Sequence, residues 1–173
     1  MSGIIGISPN TKSGVIGRSP IGQTCRMYVT SAIASADVGY FTDWTLDYNQ
    51  DATIFTPVVA GSPQGLMCNV SGMYLFVRSF YHTSQGDTGY VQNYLSKNAT
   101  NTINNSYQIY TNYHAGSYWT KDIWPYTMTV AAGDVMGMYY NVQNNYIGIN
   151  GGINSTWIMG TFLGEVPGAV TIT

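Results

Sequence analysis

Nucleophilic catalysis needs a histidine beside a serine or cysteine, with a carboxylate to orient the ring. This 173-residue chain has two histidines, His82 and His114. His82 ends a strand-like run and His114 falls in a Tyr-His-Ala-Gly turn, so both read as surface or edge residues rather than bases. Glycoside hydrolysis needs two carboxylates flanking one bond. The eight acids are thinly spread, and the single glutamate, Glu165, lies near the C-terminus. The expectation is a protein without enzymatic activity and without a cofactor.

Two stretches could hold a ligand. Asp47-Tyr48-Asn49-Gln50-Asp51 has the alternate-oxygen spacing that opens a calcium loop, which calls for Gly at its sixth position and Glu at its twelfth. Ala52 and Val58 occupy those places, so an EF-hand is excluded. A looser calcium site from Asp43, Asp47 and Asp51 stays open beside the alternative of a solvated loop. The second stretch, Tyr118 to Tyr126, is the richest in aromatic residues. Trp119, Lys121, Asp122 and Trp124 could stack on a glycan and bond its hydroxyls. The alternative is that the same rings pack at a subunit seam, where Trp and Tyr are favoured.

Composition narrows the classes. The charged fraction is 8%, with fifteen Tyr and four Trp, against about 25% charged in typical soluble domains. Contact surfaces between proteins are poor in Lys, Glu and Asp and rich in aromatic rings. Net charge is −2 with no basic cluster, which leaves out a nucleic-acid partner. No apolar run approaches the ~20 residues of a membrane span, and no secretory signal is expected. Synthesis in the cytoplasm follows, so Cys25 and Cys68 are expected as buried apolar thiols. Asn-x-Ser/Thr triplets at Asn69, Asn98, Asn104 and Asn154 then read as chance matches.

The elements that must position these residues are strands. Apolar runs between Gly, Asn, Ser and Asp clusters predict strands over 24–33, 52–57, 73–81, 90–96, 106–113, 127–131, 135–142, 146–149 and 156–163. So many short strands argue for an antiparallel sandwich or barrel. In 73–81, Met73, Leu75 and Val77 share one face, and Tyr74, Phe76 and Phe80 the other. In 135–142, Val135 and Tyr139 oppose Met136, Met138, Tyr140 and Val142. A sheet wet on one side alternates apolar with polar. These two strands do not, so both faces are expected to be covered, one of them by another subunit. Tyr74, Phe76, Phe80, Met138, Tyr140, Trp157 and Phe162 are the expected core and trimer-packing residues. Ahead of this body, Ser2-Gly3-Ile4-Ile5-Gly6-Ile7-Ser8-Pro9 returns eleven residues later as Ser13-Gly14-Val15-Ile16-Gly17-Arg18-Ser19-Pro20. Rich in Gly and Pro, the segment suits an arm that orders on another surface. The domain reading is an arm over 1–22 and one domain over 23–173.

Four motifs in order carry a resemblance. Val70-Ser71-Gly72-Met73-Tyr74-Leu75-Phe76 resembles the V-S-G-x-Y-x-F strand of complement and tumour-necrosis-factor-type globular heads. Tyr94-Leu95-Ser96-Lys97-Asn98 resembles the next strand, whose Lys-Asn-Gly turn here has Ala99 in place of Gly. Val130-Ala131-Ala132-Gly133-Asp134-Val135 is similar to the A-G-D step, and Ser155-Thr156-Trp157 with Gly160-Thr161-Phe162-Leu163 to the closing strand, with one extra residue before the Gly. The match runs from residue 66 to 164. It implies an all-β jelly roll of about ten strands that assembles as a threefold trimer. The fold does not by itself fix a function. The N-terminal arm separately resembles the arms of tailed-bacteriophage virion proteins. Together these give three readings. The first is a trimeric capsid decoration protein held on the major capsid protein by Ile4, Ile5, Ile7, Val15, Ile16 and Ile21. The second is a glycan-recognising head of a tail fibre or spike. The third, a capsule depolymerase, lacks clustered acids. The first is preferred, with the virion as location.

Overall fold

A computed structural model describes residues 20–32, 37–85, 89–99, 108–113, 117–142 and 147–165. Ile4, Ile5, Ile7, Val15, Ile16 and His114 therefore lie outside the described residues, as does most of the arm. Among the described residues there are twelve strands and no helix. They are β1 (Thr24–Val29), β2 (Asp37–Tyr40), β3 (Trp44–Asn49), β4 (Phe55–Val58), β5 (Gly65–Cys68) and β6 (Gly72–Gln85). The second half supplies β7 (Gly89–Lys97), β8 (Gln108–Tyr113), β9 (Ser117–Val130), β10 (Val135–Val142), β11 (Ile147–Ile149) and β12 (Trp157–Gly164).

The strands form two antiparallel six-stranded sheets. In the first, β3, β1, β12, β6 and β9 lie side by side, and β11 continues along β6 past the end of β12. In the second the order is β4, β5, β10, β7, β8, with β2 on the flank of β10 that it shares with β5. The two sheets face each other over one core, as a sandwich or jelly roll requires.

Side-chain alternation explains which face turns inward. On β6, Tyr74, Phe76 and Phe80 are buried, while Met73 is 41% exposed and Leu75 and Val77 are half-buried. Rings from several strands interlock: Tyr74 lies 5.0 Å from Phe162, 5.7 Å from Phe55 and 5.8 Å from Phe76 between centroids. Gly160 makes room for this cluster, since a Cβ there would sit 2.8 Å from Phe55. Met138, Tyr140 and Phe162 are likewise core residues of a single chain. Trp157 is different: it is half-buried and faces outward, with the Arg26 guanidinium 4.5 Å above its ring.

The two strands read as apolar on both faces separate here. Outward residues of β6 meet no cover within the described chain at Met73. Those of β10 are covered by their own chain. Val135 is 7% exposed, and Tyr139 lies between Tyr40 and Tyr94 at 5.1 and 5.5 Å. The turn before β5 closes over Gly137, where a Cβ would come within 2.7 Å of the Gln64 carbonyl oxygen. The subunit-cover argument therefore applies to the first sheet and not to β10.

Several boundaries also differ. β2, β3 and β5 have no counterpart among the predicted strands. β9 starts at Ser117, ten residues before the predicted Thr127, because Pro125 reads as a breaker in sequence. An edge strand tolerates proline, and among the described residues β9 pairs only with β6.

Candidate interaction surface

The outward face of the first sheet is built row by row from its register. One row across the strands reads Tyr48, Arg26, Met159, Val77 and Pro125; the next reads Thr45, Tyr28, Trp157, Ser79 and Ile123. Ile123 is 52% exposed and Met73, at the end of β6, 41%. Tyr28, Leu75, Val77, Trp157 and Met159 are half-buried. The cation in these rows is neutralised: Arg26 holds Asp47 at 3.1 Å and also reaches the Ile153 carbonyl. Lys121 at the margin donates to the Asn154 carbonyl at 2.5 Å. Ser79 in the second row is fully buried and donates to the Ser155 carbonyl at 2.7 Å, so the turn through Ile153 to Ser155 covers part of this face. What stays exposed, Tyr48, Met73 and Ile123 beside a paired charge, is suited to another protein surface.

Of the predicted glycan constellation, the described residues Lys121, Asp122 and Trp124 divide between the two faces of β9. Alternation along β9 puts Lys121 on the outward side with Ile123. Asp122 and Trp124 fall on the other side, opposite Phe80 and Arg78 of β6. Trp124 is 46% exposed because the edge leaves it uncovered. Trp119 stands opposite Thr83 in the register, and its side chain lies outside the described set.

The three aspartates of the calcium hypothesis are engaged separately. Asp43 accepts from Ser31, Asp47 binds Arg26, and Asp51 accepts from the Thr53 amide at 2.9 Å and hydroxyl at 2.6 Å. Hydrogen bonds from Ser31 and Thr30 hold Asp43 below the usual carboxylate range. No group of three or more His, Cys, Asp or Glu side chains comes together among the described residues.

His82 corrects the sequence reading: it is completely buried within β6, not at a surface. Burial pushes its imidazole down to about 4, so the ring is neutral near pH 7. Cys25 and Cys68 are buried and unbridged, each thiol pushed up to about 12 by burial.

The residue that sequence reasoning passed over is Arg78. It is fully buried between the sheets, where it donates to Asn93 Oδ1 and to the Tyr126 hydroxyl at 3.0 Å. Its guanidinium also lies 5.3 Å from the Tyr126 ring centroid. Burial lowers its pKa to about 10, against the favourable influence of Tyr126 and Asp122, so it remains charged. The signal was present: residue 78 falls on the same face as Tyr74, Phe76 and Phe80.

The motifs behind the resemblance do recognisable work. Gly72 lies so close to β12 that a Cβ would come within 2.5 Å of the Gly164 carbonyl oxygen. The Tyr74 hydroxyl donates to the Val70 carbonyl at 2.5 Å. Asp134 joins two turns, accepting from the Ala131 amide at 3.0 Å, Asn98 Nδ2 at 2.7 Å and Lys97 Nζ at 3.2 Å. Burial alone would raise the Asp134 pKa, and these donors outweigh it, leaving the carboxyl below its ordinary value.

No protein-family model and no curated protein matches the sequence. Solved structures do. Eiger, a tumour necrosis factor from S. frugiperda, superposes with a TM-score of 0.62 at 12% identity, covering 88% of this chain and 99% of that one. Murine APRIL at pH 5.0 superposes with a TM-score of 0.53 at 11% identity, covering 82% and 99%. Identity this low carries the fold alone. The chain is an all-β protein with the jelly-roll fold of tumour-necrosis-factor-type heads.

Proposed function

We propose that this chain is a non-enzymatic structural protein of a bacteriophage virion, a trimeric decoration protein anchored to the shell by its N-terminal arm. The observation that carries the reading is the outward face of the first sheet. A jelly roll of this size has no need of a second apolar layer unless something covers it. A copy of itself is the simplest cover, since closed symmetry buries the same patch in every subunit. The arm residues Ile4, Ile5, Ile7, Val15 and Ile16, with exposed Ile21 at the edge of the body, would then seat on the major capsid protein. A segment that orders on binding wraps much surface with few residues, and three arms per trimer raise avidity.

A chain lacking residues 1–22 tests both parts of the proposal. Its light-scattering mass should stay at three times the protomer, while co-sedimentation with purified particles should be lost. Retained particle binding would remove the arm from the account, and a mass of one protomer would remove the trimer. A second reading, a glycan-recognising head of a tail fibre or spike, uses the same body.

A further inference from the structure

The N-terminal arm enters the body in a set direction. Pro20 to Gln23 close a reverse turn, the Gln23 amide donating to the Pro20 carbonyl at 3.3 Å, with Gly22 at φ +83 as its third residue. Gly22 and Gln23 then share one partner on β12. The Gly22 amide donates to the Phe162 carbonyl at 2.7 Å, and the Phe162 amide donates to the Gln23 carbonyl at 3.0 Å. This two-against-one step is a bulge that follows a turn, and it aims the Gln23 amide, with Pro20, at the other flank of β1. The chain ahead of Pro20 is thereby sent back antiparallel to β1 on the β3 side.

No place within the sheet receives it. β3 fills that flank: the Gln50 amide donates to the Thr24 carbonyl at 3.0 Å, and Gln50 Oε1 accepts from the Thr24 amide at 3.0 Å. The inner side is shut by the tight turn that carries the chain from β3 to β4 of the second sheet. There the Ile54 and Phe55 amides both donate to the Asp51 carbonyl at 3.1 Å, and both side chains are buried. Among the described residues the outward side is open. The first surface met on it is the row of Tyr48, Arg26 and Met159. Tyr48 is 36% exposed and its hydroxyl donates to the Met159 sulfur at 3.3 Å, while Arg26 is already paired with Asp47. At about 3.3 Å per extended residue, the four steps from Pro20 to Ile16 cover about 13 Å, which brings Ile16 and Val15 level with this row.

We infer that in the free protein residues 13–19 lie as a strap across the outward side of β3, β1 and β12, with Val15 and Ile16 packed on Tyr48 and Met159. A segment tethered a few residues from its site meets it at an effective concentration on the order of millimolar, so a small apolar contact is enough to hold it. The strap takes the β3 half of the face. Met73 and Ile123, on β6 and β9, stay clear of it and remain for a neighbouring copy. The docked arm describes the protein before it meets a partner: the residues parked on the body are those that a shell would take over. It stands whether or not that partner is a shell.

The test places the photo-crosslinker p-benzoylphenylalanine at Ile16 of the full-length protein and irradiates an equal mixture of isotope-labelled and unlabelled chains. Cross-links should fall on β3, β1 or β12, chiefly at Tyr48 and Met159, and within one chain. Links between labelled and unlabelled chains would give this surface to a second copy and overturn the inference. Links elsewhere on the body, or none, overturn it as well. A second readout is peroxide oxidation followed methionine by methionine. Removing residues 1–19, or the double substitution Val15→Asp with Ile16→Asp, should speed oxidation of Met159 about threefold or more and leave Met73 within about twofold. An unchanged Met159 rate in both proteins overturns the strap. Met27, buried in the core, reports the fold: where it too oxidises faster, the variant has opened and the cross-links decide.

Discussion

His82 is a base placed where it cannot take a proton without losing core packing. Its folded pKa of about 4 lies below the ordinary 6.5. Between those values the unfolded chain binds a proton that the folded chain does not. Stability is therefore full above pH 6.5 and falls as pH drops through that window. The loss should reach about 3 kcal/mol by pH 4. His82→Phe should flatten the melting temperature between pH 6.5 and 4, leaving a decline at lower pH where Asp43 and Asp134 lose their depressed pKa values. An unchanged pH profile in that variant would exclude His82 as the cause. Ala99 poses a simpler question. It holds φ +48 beside Asn98 at φ +55, a conformation that costs a side chain about 1–2 kcal/mol and glycine almost nothing. Ala99→Gly should stabilise the protein by about 1 kcal/mol in urea unfolding, after glycine's extra unfolded-state entropy is deducted; a loss of stability would contradict this.

At the scale of elements, Arg78 ties the two sheets together. β6 and β9 supply the guanidinium and the tyrosine, and β7 supplies the asparagine. Arg78→Ala should cost about 3 kcal/mol or more, since it leaves a cavity and takes the donor from buried Asn93 Oδ1, while Asn93 Nδ2 keeps the Tyr139 carbonyl. Arg78→Lys should restore only part of this, because an ammonium cannot span two acceptors as the planar fork does. Full rescue by lysine, read from urea midpoints, would show that charge alone matters there. The same strands show what the sequence made legible. Alternation in 73–81 located both the core face and the outward face of β6, and 135–142 was placed to the residue. Short strands such as β2, with four residues of mixed polarity, give no periodic signal above that of a loop. The first half of β9 was hidden by Pro125, whose penalty in a central strand vanishes at an edge.

For the whole molecule, the central question is what lies on the outward face of the first sheet. If three copies share it, charges placed there must oppose each other on assembly. The double substitution Met73→Glu with Ile123→Glu should convert a mass of three protomers to one of 18.9 kDa, with far-UV circular dichroism unchanged. Single substitutions of exposed residues on the other sheet, such as Val38→Glu, should leave the mass at three. A wild-type protein already monomeric at micromolar concentration would leave the apolar face to a different partner. Cys25 belongs to one sheet and Cys68 to the other, and neither reaches solvent. An alkylating reagent can meet them only when the sandwich parts, so the rate of carboxamidomethylation under native conditions becomes a clock for wholesale opening.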